Sequence, residues 1–351
     1  MRNIYKAVLI ILAQYVLFFY PIFLPHNILT GSFTTDALSL HYPSRAFLYE
    51  KLHHGTQFFW TERIYGGFPV YTDLERGFLN PINILSLYLF DPYTSYKVIH
   101  FIYYFIGAVF LYLFLKEKKL GLIAFAVANL IFFFSFYSMV RQELFNTVLI
   151  VYLLPVGLYL SEKLINTQKQ RYAILKGVWL WAMISWGQFN FITILLMIDG
   201  LYLLIYSYKT LKVKHFFANL GLIGLTATIL CLPLLYPFLN VFLAGARGGG
   251  DLNYLEGSYS PIVALTNLFP FIWGIPNNYV GDLIKNGYYL NEVYNYLGIS
   301  SVILATLAFL LLKKNKGQNI FCCLNKHICL FSVYKIRANT KQRKHTFDIF
   351  I

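Results

Sequence analysis

The sequence carries little charge for its length. Only 13% of its 351 residues are Asp, Glu, Lys or Arg, and 58% are hydrophobic, whereas a soluble domain has roughly 25% charged residues. So few charges cannot cover a water-facing surface of this size. The composition therefore excludes a soluble enzyme, and it excludes a disordered protein because disordered chains are polar.

Cysteine is also scarce, with four residues in the chain. Cys322, Cys323 and Cys329 lie close together near the C-terminus, while Cys231 lies in an apolar run. This is too few for a secreted disulfide scaffold. The spacing of Cys323, His327 and Cys329 does not match a recognised zinc site, so we predict no metal centre there.

Acidic residues are outnumbered by basic ones, 15 to 29, which gives a net charge of +14. A nucleic-acid-binding protein would concentrate such charge on one face of a soluble module. Here the Lys and Arg residues lie between long apolar runs, where they act as topology signals. We therefore expect no nucleic-acid partner.

Long apolar runs dominate what is present. A helix needs about 20 mostly apolar residues to cross a bilayer, since no backbone polar group can be left unpaired in lipid. Runs of this kind predict an all-α integral membrane protein with about eight transmembrane helices, at approximately residues 7–24, 98–115, 120–140, 144–160, 173–188, 190–208, 216–243 and 293–312. A polar patch at Gly187, Gln188 and Asn190 separates the fifth and sixth runs, so one long broken helix is an alternative there.

Charge placement favours a cytoplasmic N-terminus. With that orientation, 15 Lys and Arg residues lie in or beside short inner loops and 8 lie outside, while 11 of the 15 acids lie outside. This agrees with the positive-inside rule. Merging the fifth and sixth helices would place Lys209, Lys212 and Lys214 outside, so two helices are favoured. The prediction is a multi-pass membrane protein with its long loops outside and the lipid bilayer as its surroundings.

Two connections are long enough to be functional, residues 25–97 and 244–292, both on the outer side. Within the first, residues 81–90 (PINILSLYLF) are apolar but too short to span, which predicts an interfacial or re-entrant helix. We assign residues 1–316 to the membrane domain. Residues 317–351 form a basic tail, which we expect to be a truncated or frame-shifted ending; the alternative is a cytoplasmic tail that binds anionic lipid.

Candidate chemistry is concentrated after the first helix. Asp36 is followed by His41 and Tyr42, and further along by Arg63 and the group Asp73, Glu75 and Arg76. A carboxylate at the membrane surface can deprotonate an acceptor hydroxyl or hold a divalent cation, and nearby Arg and His side chains can neutralise a phosphate leaving group.

Each of these residues also has a structural interpretation. Asp36 can cap the helix predicted after it, and Asp73 with Arg76 can form a surface ion pair that contributes little. Arg141 can contact a lipid phosphate or pair with Glu143. Glu292 can contact substrate or cap the eighth helix. Asp199, near the centre of the sixth run, is either part of a relay or bonded to a neighbouring helix.

Four sets of residues, in this order, resemble the YfhO-like bacterial membrane proteins, which belong with the GT-C type of membrane glycosyltransferases. They are Asp36 with His41-Tyr42-Pro43; Trp60 with residues 65–69 (YGGFP) and Asn80-Pro81; residues 232–237 (LPLLYP) with Arg247; and Asn291-Glu292 before residues 296–298 (YLG). Together they extend over about residues 30–300. Members of that family are usually longer, with more helices.

The resemblance implies a GT-C-like fold with a large first outer loop and short interfacial helices. It also implies a location in a bacterial plasma membrane. The implied activity is transfer of a sugar from a polyprenyl-phosphate carrier to a cell-envelope polymer acceptor, with Asp36 as the catalytic base. The residues expected to contact substrate are His41, Tyr42, Arg63, Asp73, Glu75, Arg76, Arg141 and Glu292. Arg76 or Arg63, with a divalent cation as a further candidate, would balance the leaving phosphate.

Two other functions remain open at this point. One is a transporter or flippase for a lipid-linked or small solute, which would place charged residues along a transmembrane path. The other is a non-catalytic membrane partner of an envelope-polymer enzyme, which would act through its outer loops.

Overall fold

The computed structural model describes residues 2–24, 36–64, 66–135, 138–139, 141–207 and 213–244, together with nine single or paired positions between 269 and 307. The chain divides into two compact units, Met1–Ser258 with Leu283–Tyr294, and Tyr259–Asp282 with Asn295–Ile351. In the second unit, strands β1 (Gly274–Ile275) and β2 (Asn278–Tyr279) pair antiparallel, with Gly274 opposite Tyr279. All other features below belong to the first unit.

The described part of the first unit is built almost entirely from helices. The α-helices are α1 (Arg2–Phe19), α2 (Tyr42–His53), α3 (Pro81–Leu89), α4 (Pro92–Glu117), α5 (Leu122–Phe133), α6 (Phe145–Tyr152), α7 (Leu154–Thr167), α8 (Gln170–Ile184), α9 (Phe189–Ser207) and α10 (Val213–Ala244). Short 3₁₀ turns occur at Tyr20–Phe23, Val70–Thr72, Leu74–Arg76 and Arg141–Glu143, and a π-helix at Ala37–His41.

Among the residues that the structure describes, five helical stretches are long and apolar enough to cross a bilayer: Asn3–Phe23, Pro92–Glu117, Phe145–Thr167, Phe189–Ser207 and His215–Val241. The third of these joins α6 and α7. The prediction of an all-helical, multi-pass membrane protein is therefore confirmed.

Three of the eight predicted spans have no counterpart among these five helical stretches. The run at 120–140 is helical as α5 for only 12 residues, about 18 Å at 1.5 Å per residue, which is shorter than a bilayer core of about 30 Å. The run at 173–188 becomes α8, 15 residues with the buried Lys176 inside. The run at 293–312 lies outside the described residues, apart from three positions.

The polar patch between the fifth and sixth runs does separate two helices. α8 ends at Ile184 and α9 begins at Phe189. Gly187 lies between them with φ +80°, a conformation that glycine adopts readily and other residues rarely adopt. The alternative of one long broken helix is therefore replaced by two helices that meet at a sharp turn.

Basic residues gather at one end of the bundle, which we call the basic end. Lys118 Nζ lies 2.7 Å from Glu162 Oε2, and Lys163 Nζ lies 2.7 Å from Glu117 Oε1, so the C-terminal ends of α4 and α7 meet there. The other end of α4 begins at Pro92, directly after residues 36–91. The C-terminal ends of α4 and α7 and the 36–91 segment are thus at opposite ends of α4.

A buried polar network connects α1, α4 and the turn before α6. His100 Nδ1 lies 3.0 Å from the Tyr15 hydroxyl, and His100 Nε2 lies 2.9 Å from Gln142 Oε1. Since Gln142 Nε2 donates to the Ser138 carbonyl at 2.8 Å, its Oε1 faces the imidazole. The two ring nitrogens of His100 therefore connect α1 with the turn before α6.

Candidate functional site

N-terminal helix caps fix where α3 begins within the 36–91 segment and where α4 begins directly after it. Asn80 Oδ1 accepts a hydrogen bond from the Asn83 backbone N–H at 3.1 Å, and Pro81 occupies the first helical position of α3. Asp91 Oδ1 accepts from the backbone N–H groups of Tyr93 and Thr94 at 3.0 and 3.1 Å. Both arrangements satisfy N–H groups that a helix start leaves without partners.

The segment is held on the bundle at the turn between α8 and α9. Asn80 Nδ2 donates to Ser185 Oγ at 2.7 Å and to the Tyr103 hydroxyl at 3.2 Å. Gly77, at φ +63°, lies under the Trp186 ring so closely that a Cβ would be 2.4 Å from a ring carbon. The position of the segment relative to the spans is therefore set by close backbone and side-chain contacts.

Arg76 connects the short 3₁₀ turns of the segment to α2. Its Nε donates to Asp73 Oδ2 at 2.8 Å, and one terminal nitrogen donates to Ser44 Oγ at 2.6 Å. The Arg76 side chain is 10% exposed and that of Asp73 is 26% exposed. The Arg76–Asp73 ion pair is thus half-buried and bonded to α2 through Ser44, so it differs from a fully exposed surface ion pair.

Arg45 is the most buried cation of the segment. Its terminal nitrogens donate to Asn83 Oδ1 and Ser95 Oγ, and its guanidinium carbon lies 5.9 and 5.6 Å from the ring centres of Tyr96 and Phe145. Burial lowers its pKa to about 9. No carboxylate pairs with Arg45 within the described ranges, so neutral partners alone hold this positive charge.

His41 lies in the π-helix one turn before Arg45 and is also buried. Burial, and then the positive charges of Arg45 and Arg76, lower the pKa of its imidazole to about 4. His41 is therefore neutral at pH 7, since protonation would place a third cation in the same region. Together, His41, Arg45 and Arg76 form what we call the buried basic cluster.

Asp36 stands at the start of the π-helix with its side chain exposed. It occupies the cap position, but its side chain makes no capping hydrogen bond. His41 and Arg45 are four residues apart, which places these two buried side chains on one side of the helix. Tyr42, next to His41, is partly exposed. The Asp36 carboxylate thus lies at the start of a helical stretch whose later residues include the buried His41 and Arg45.

Other predicted site residues lie apart from this group. Arg63 is exposed and bonds to both carboxylate oxygens of Glu50, at 3.1 and 3.2 Å, which lowers the pKa of Glu50. Glu75 donates its backbone N–H to Asp73 Oδ1 at 3.2 Å. Arg141 is buried and lines a small cavity with Thr147 and Tyr152.

Glu292, Tyr65 and Arg247 fall outside the described residues, and so does the Glu143 side chain. Within the described ranges, no group of three or more His, Cys, Asp or Glu side chains could hold a metal ion. The divalent cation considered from the sequence therefore has no ready-made protein site in the part of the chain that the structure describes.

The sequence did not identify Arg45 as a site residue, and it indicated Lys176 only as one of the positive charges that predict the topology. Lys176 Nζ bonds to Asp199 Oδ2 and to Ser161 Oγ, which in turn donates to Asp199 Oδ1 at 2.7 Å. Asp199 is thus bonded to two neighbouring helices, as the structural interpretation predicted. The helical spacing of Arg45 from His41 was a signal that could have identified Arg45.

The 36–91 segment therefore combines an exposed carboxylate with buried positive charge at one end of a membrane bundle. A carboxylate can accept a proton from a hydroxyl, and fixed cations can stabilise a phosphate that gains charge. Comparisons of the chain with models of known protein families, with curated proteins and with solved structures found no match.

Proposed function

We propose that the chain is a membrane glycosyltransferase of the YfhO-like, GT-C type, which transfers a sugar from a polyprenyl-phosphate carrier to a cell-envelope acceptor. The observation that carries this proposal is the placement of Asp36. Its exposed carboxylate begins the helical stretch that carries the buried His41 and Arg45, and Arg76 bonds to this stretch through Ser44. The motif resemblance described above supports the same activity.

In the proposed reaction, Asp36 accepts the proton of an acceptor hydroxyl. The hydroxyl oxygen attacks the anomeric carbon of the donor and forms the new glycosidic bond. The bond between that carbon and the phosphate oxygen breaks, and polyprenyl phosphate leaves with the electron pair. One displacement of this kind inverts the configuration at the anomeric carbon.

The leaving phosphate needs positive charge at the moment it departs. Arg76 is suited to supply it, since its side chain is 10% exposed and its guanidinium is held by Asp73 and Ser44. Arg45 is fully buried, so it acts through its electric field and by holding α2 against α3 and α4. Arg63 is less suited because both of its bonds go to Glu50.

The test is transfer of radiolabelled hexose from polyprenyl-phosphate donors by the full chain in proteoliposomes. We expect Asp36→Asn to lower the turnover at least about 100-fold, the lower end of what a general base contributes. Glu62→Gln is the matched control, because Glu62 is an exposed carboxylate of the same segment, and it should leave the rate unchanged. Equal rates for Asp36→Asn and the unaltered chain would refute the assignment.

A second candidate function, transport of a lipid-linked or small solute, is favoured by one observation. Lys176 and Asp199 form a buried ion pair between α8 and α9, and charges within a membrane bundle frequently mark a transport path. Uptake of a labelled lipid-linked sugar into proteoliposomes tests it. Loss of uptake in the double variant Lys176→Met with Asp199→Leu, with unchanged uptake in Asp36→Asn, would favour transport over transfer.

A further inference from the structure

Two adjacent aromatic side chains lie at the surface of the 36–91 segment. Trp60 is 51% exposed and Phe59 is 45% exposed. Among the residues that the structure describes between positions 42 and 79, these two are the large hydrophobic side chains that are exposed. Since the hydrophobic effect favours burial of such rings, their joint exposure indicates a surface that binds another molecule.

A short hairpin carries both rings. The backbones of Thr61 and Phe68 pair through two hydrogen bonds, at 3.0 and 2.8 Å. We call residues 58–68 the aromatic hairpin; Tyr65 within it lies outside the described residues. Phe58 and Phe68 are partly buried and anchor the hairpin on a small core of its own segment. The buried residues of this core are Leu48, Val70, Phe78 and Leu87.

The two exposed rings are held in fixed positions. A Cβ at Gly67 would lie 2.6 Å from one ring carbon of Trp60 and 3.3 Å from another, so the ring rests directly against the glycine backbone. Gly67 has φ +137°, a conformation that other residues rarely adopt. Phe59 packs edge-on against Tyr71, with ring centres 5.2 Å apart. Because both rings are already positioned, a ligand that binds them loses little entropy in ordering them.

Polar side chains flank the two rings along the chain. Thr56 and Gln57, which precede them, are exposed. Arg63, three residues after Trp60, donates to both carboxylate oxygens of Glu50, at 3.1 and 3.2 Å. The two side chains of this pair are 67% and 40% exposed. The guanidinium and the carboxylate therefore retain donors and acceptors that hydroxyl groups of a ligand can reach.

An aromatic face beside groups that bind hydroxyls suits a sugar ring. The C–H bonds on one face of a pyranose carry partial positive charge, and the face of an aromatic ring is negative, so the two attract each other. The indole N–H of Trp60 is a further donor for a sugar oxygen. A surface that inserts into lipid would also expose aliphatic side chains, and the described residues between 42 and 79 expose no Leu, Ile or Val.

We propose that the aromatic hairpin binds a pyranose ring of a saccharide, with Trp60 stacked on the sugar face and Phe59 beside it. Arg63 and Glu50 bond to the sugar hydroxyls. The choice of a saccharide rests on the proposed function, in which this ring belongs to the cell-envelope acceptor. The binding residues are distinct from Asp36 and the buried basic cluster, and no bond is made or broken at them.

The test uses the full chain labelled with 5-fluorotryptophan in phosphatidylcholine nanodiscs, so that no sugar-based detergent competes. The fluorine NMR signal of Trp60 is assigned by its loss in Trp60→Phe. Three neutral saccharides are titrated separately: chitotetraose, cellotetraose and maltotetraose. At least one of them should shift the Trp60 signal and leave the signals of the buried Trp179 and Trp186 unchanged.

Variants test whether the ring itself binds the saccharide. Trp60→Ala should weaken the affinity about 10-fold or more, as expected for the loss of a tryptophan anchor, and Trp60→Tyr should weaken it less because it keeps an aromatic face. Phe90→Ala is the matched control, since it removes another exposed ring of the same segment, and its affinity should equal that of the unaltered chain. In the unaltered chain, bound saccharide should protect Trp60 from oxidation by N-bromosuccinimide, measured by peptide mass spectrometry.

A Trp60 signal that none of the three saccharides shifts would overturn the proposal. So would broadening of that signal by a phospholipid with a nitroxide at its headgroup, because the rings would then lie in the membrane. The transfer assay separates this proposal from the proposed function. Saccharide binding without transfer would count against the glycosyltransferase and support the hairpin site, whereas transfer that depends on Asp36 without a response of Trp60 would count against the hairpin site alone.

Discussion

Removing one member of the buried pair Lys176–Asp199 should destabilise the bundle strongly. The two side chains are 3% and 5% exposed, and Ser161 bonds to both, at 2.6 Å to Lys176 and 2.7 Å to Asp199. In Lys176→Met, the carboxylate of Asp199 loses its counter-ion and keeps only a hydroxyl partner. We expect a loss of about 3–5 kcal/mol, the usual cost of an uncompensated buried charge.

The double variant Lys176→Met with Asp199→Leu removes both charges, so it should cost at least about 2 kcal/mol less than the sum of the two single variants. The matched control is the pair Lys163–Glu117, which also joins two helices but is 20% and 30% exposed. Breaking it should cost under about 1 kcal/mol.

The assay is unfolding in mixed dodecylmaltoside–SDS micelles, followed by circular dichroism. All variants are compared in the same lipid and salt, so that differences in the midpoint report on the interaction itself. The reasoning would be refuted if the two single variants lowered the free energy of unfolding additively in the double variant. It would also be refuted if Lys176→Met lost no more stability than a variant that breaks the control pair Lys163–Glu117.

Three further predictions concern the 36–91 segment. The pKa of His41 is about 4 in the folded chain, against 6.5 for a histidine without these surroundings, so the unfolded chain binds more protons between these two pH values. The free energy of unfolding should therefore fall by on the order of 3 kcal/mol as the pH drops from about 6.5 to 4. His41→Gln should abolish this dependence on pH. Gly77→Ala should lower the unfolding midpoint by the equivalent of about 2 kcal/mol or more, because it adds a Cβ against Trp186 at a positive φ; an unchanged midpoint would contradict the packing. Asn80→Ala should cost about 2–3 kcal/mol, since it removes the α3 cap and the bond to Ser185; faster amide exchange in residues 81–86 would report the loss of the cap, and unchanged exchange would contradict it.

The sequence predicted the membrane architecture because hydropathy is a property of local runs. The five long spans all coincide with predicted apolar runs, and the polar patch at Gly187 correctly indicated a break between two helices. Hydropathy did not predict the ends of α5 and α8. α5 ends at Phe133 within an apolar run, and α8 carries a buried lysine that pairs across to another helix.

Parts of the site followed from helical spacing, which the sequence shows directly. His41 and Arg45 are four residues apart, so their shared side was accessible to prediction. The partners of Arg45 were not, since Asn83 and Ser95 lie 38 and 50 residues further along the chain. The same applies to Asp199, whose partner Lys176 is set by the packing of α8 against α9. Such pairings depend on tertiary register, which no local pattern encodes.

The most direct test of the account is the single-turnover rate of sugar transfer at saturating polyprenyl-phosphate hexose, measured for the unaltered chain and for Asp36→Asn. Donor binding is followed in the same samples by quenching of a fluorescent polyprenyl phosphate. The account predicts a rate at least about 100-fold lower in the variant with donor affinity unchanged. Equal rates in the two proteins, or no transfer by the unaltered chain from any hexose donor, would contradict it.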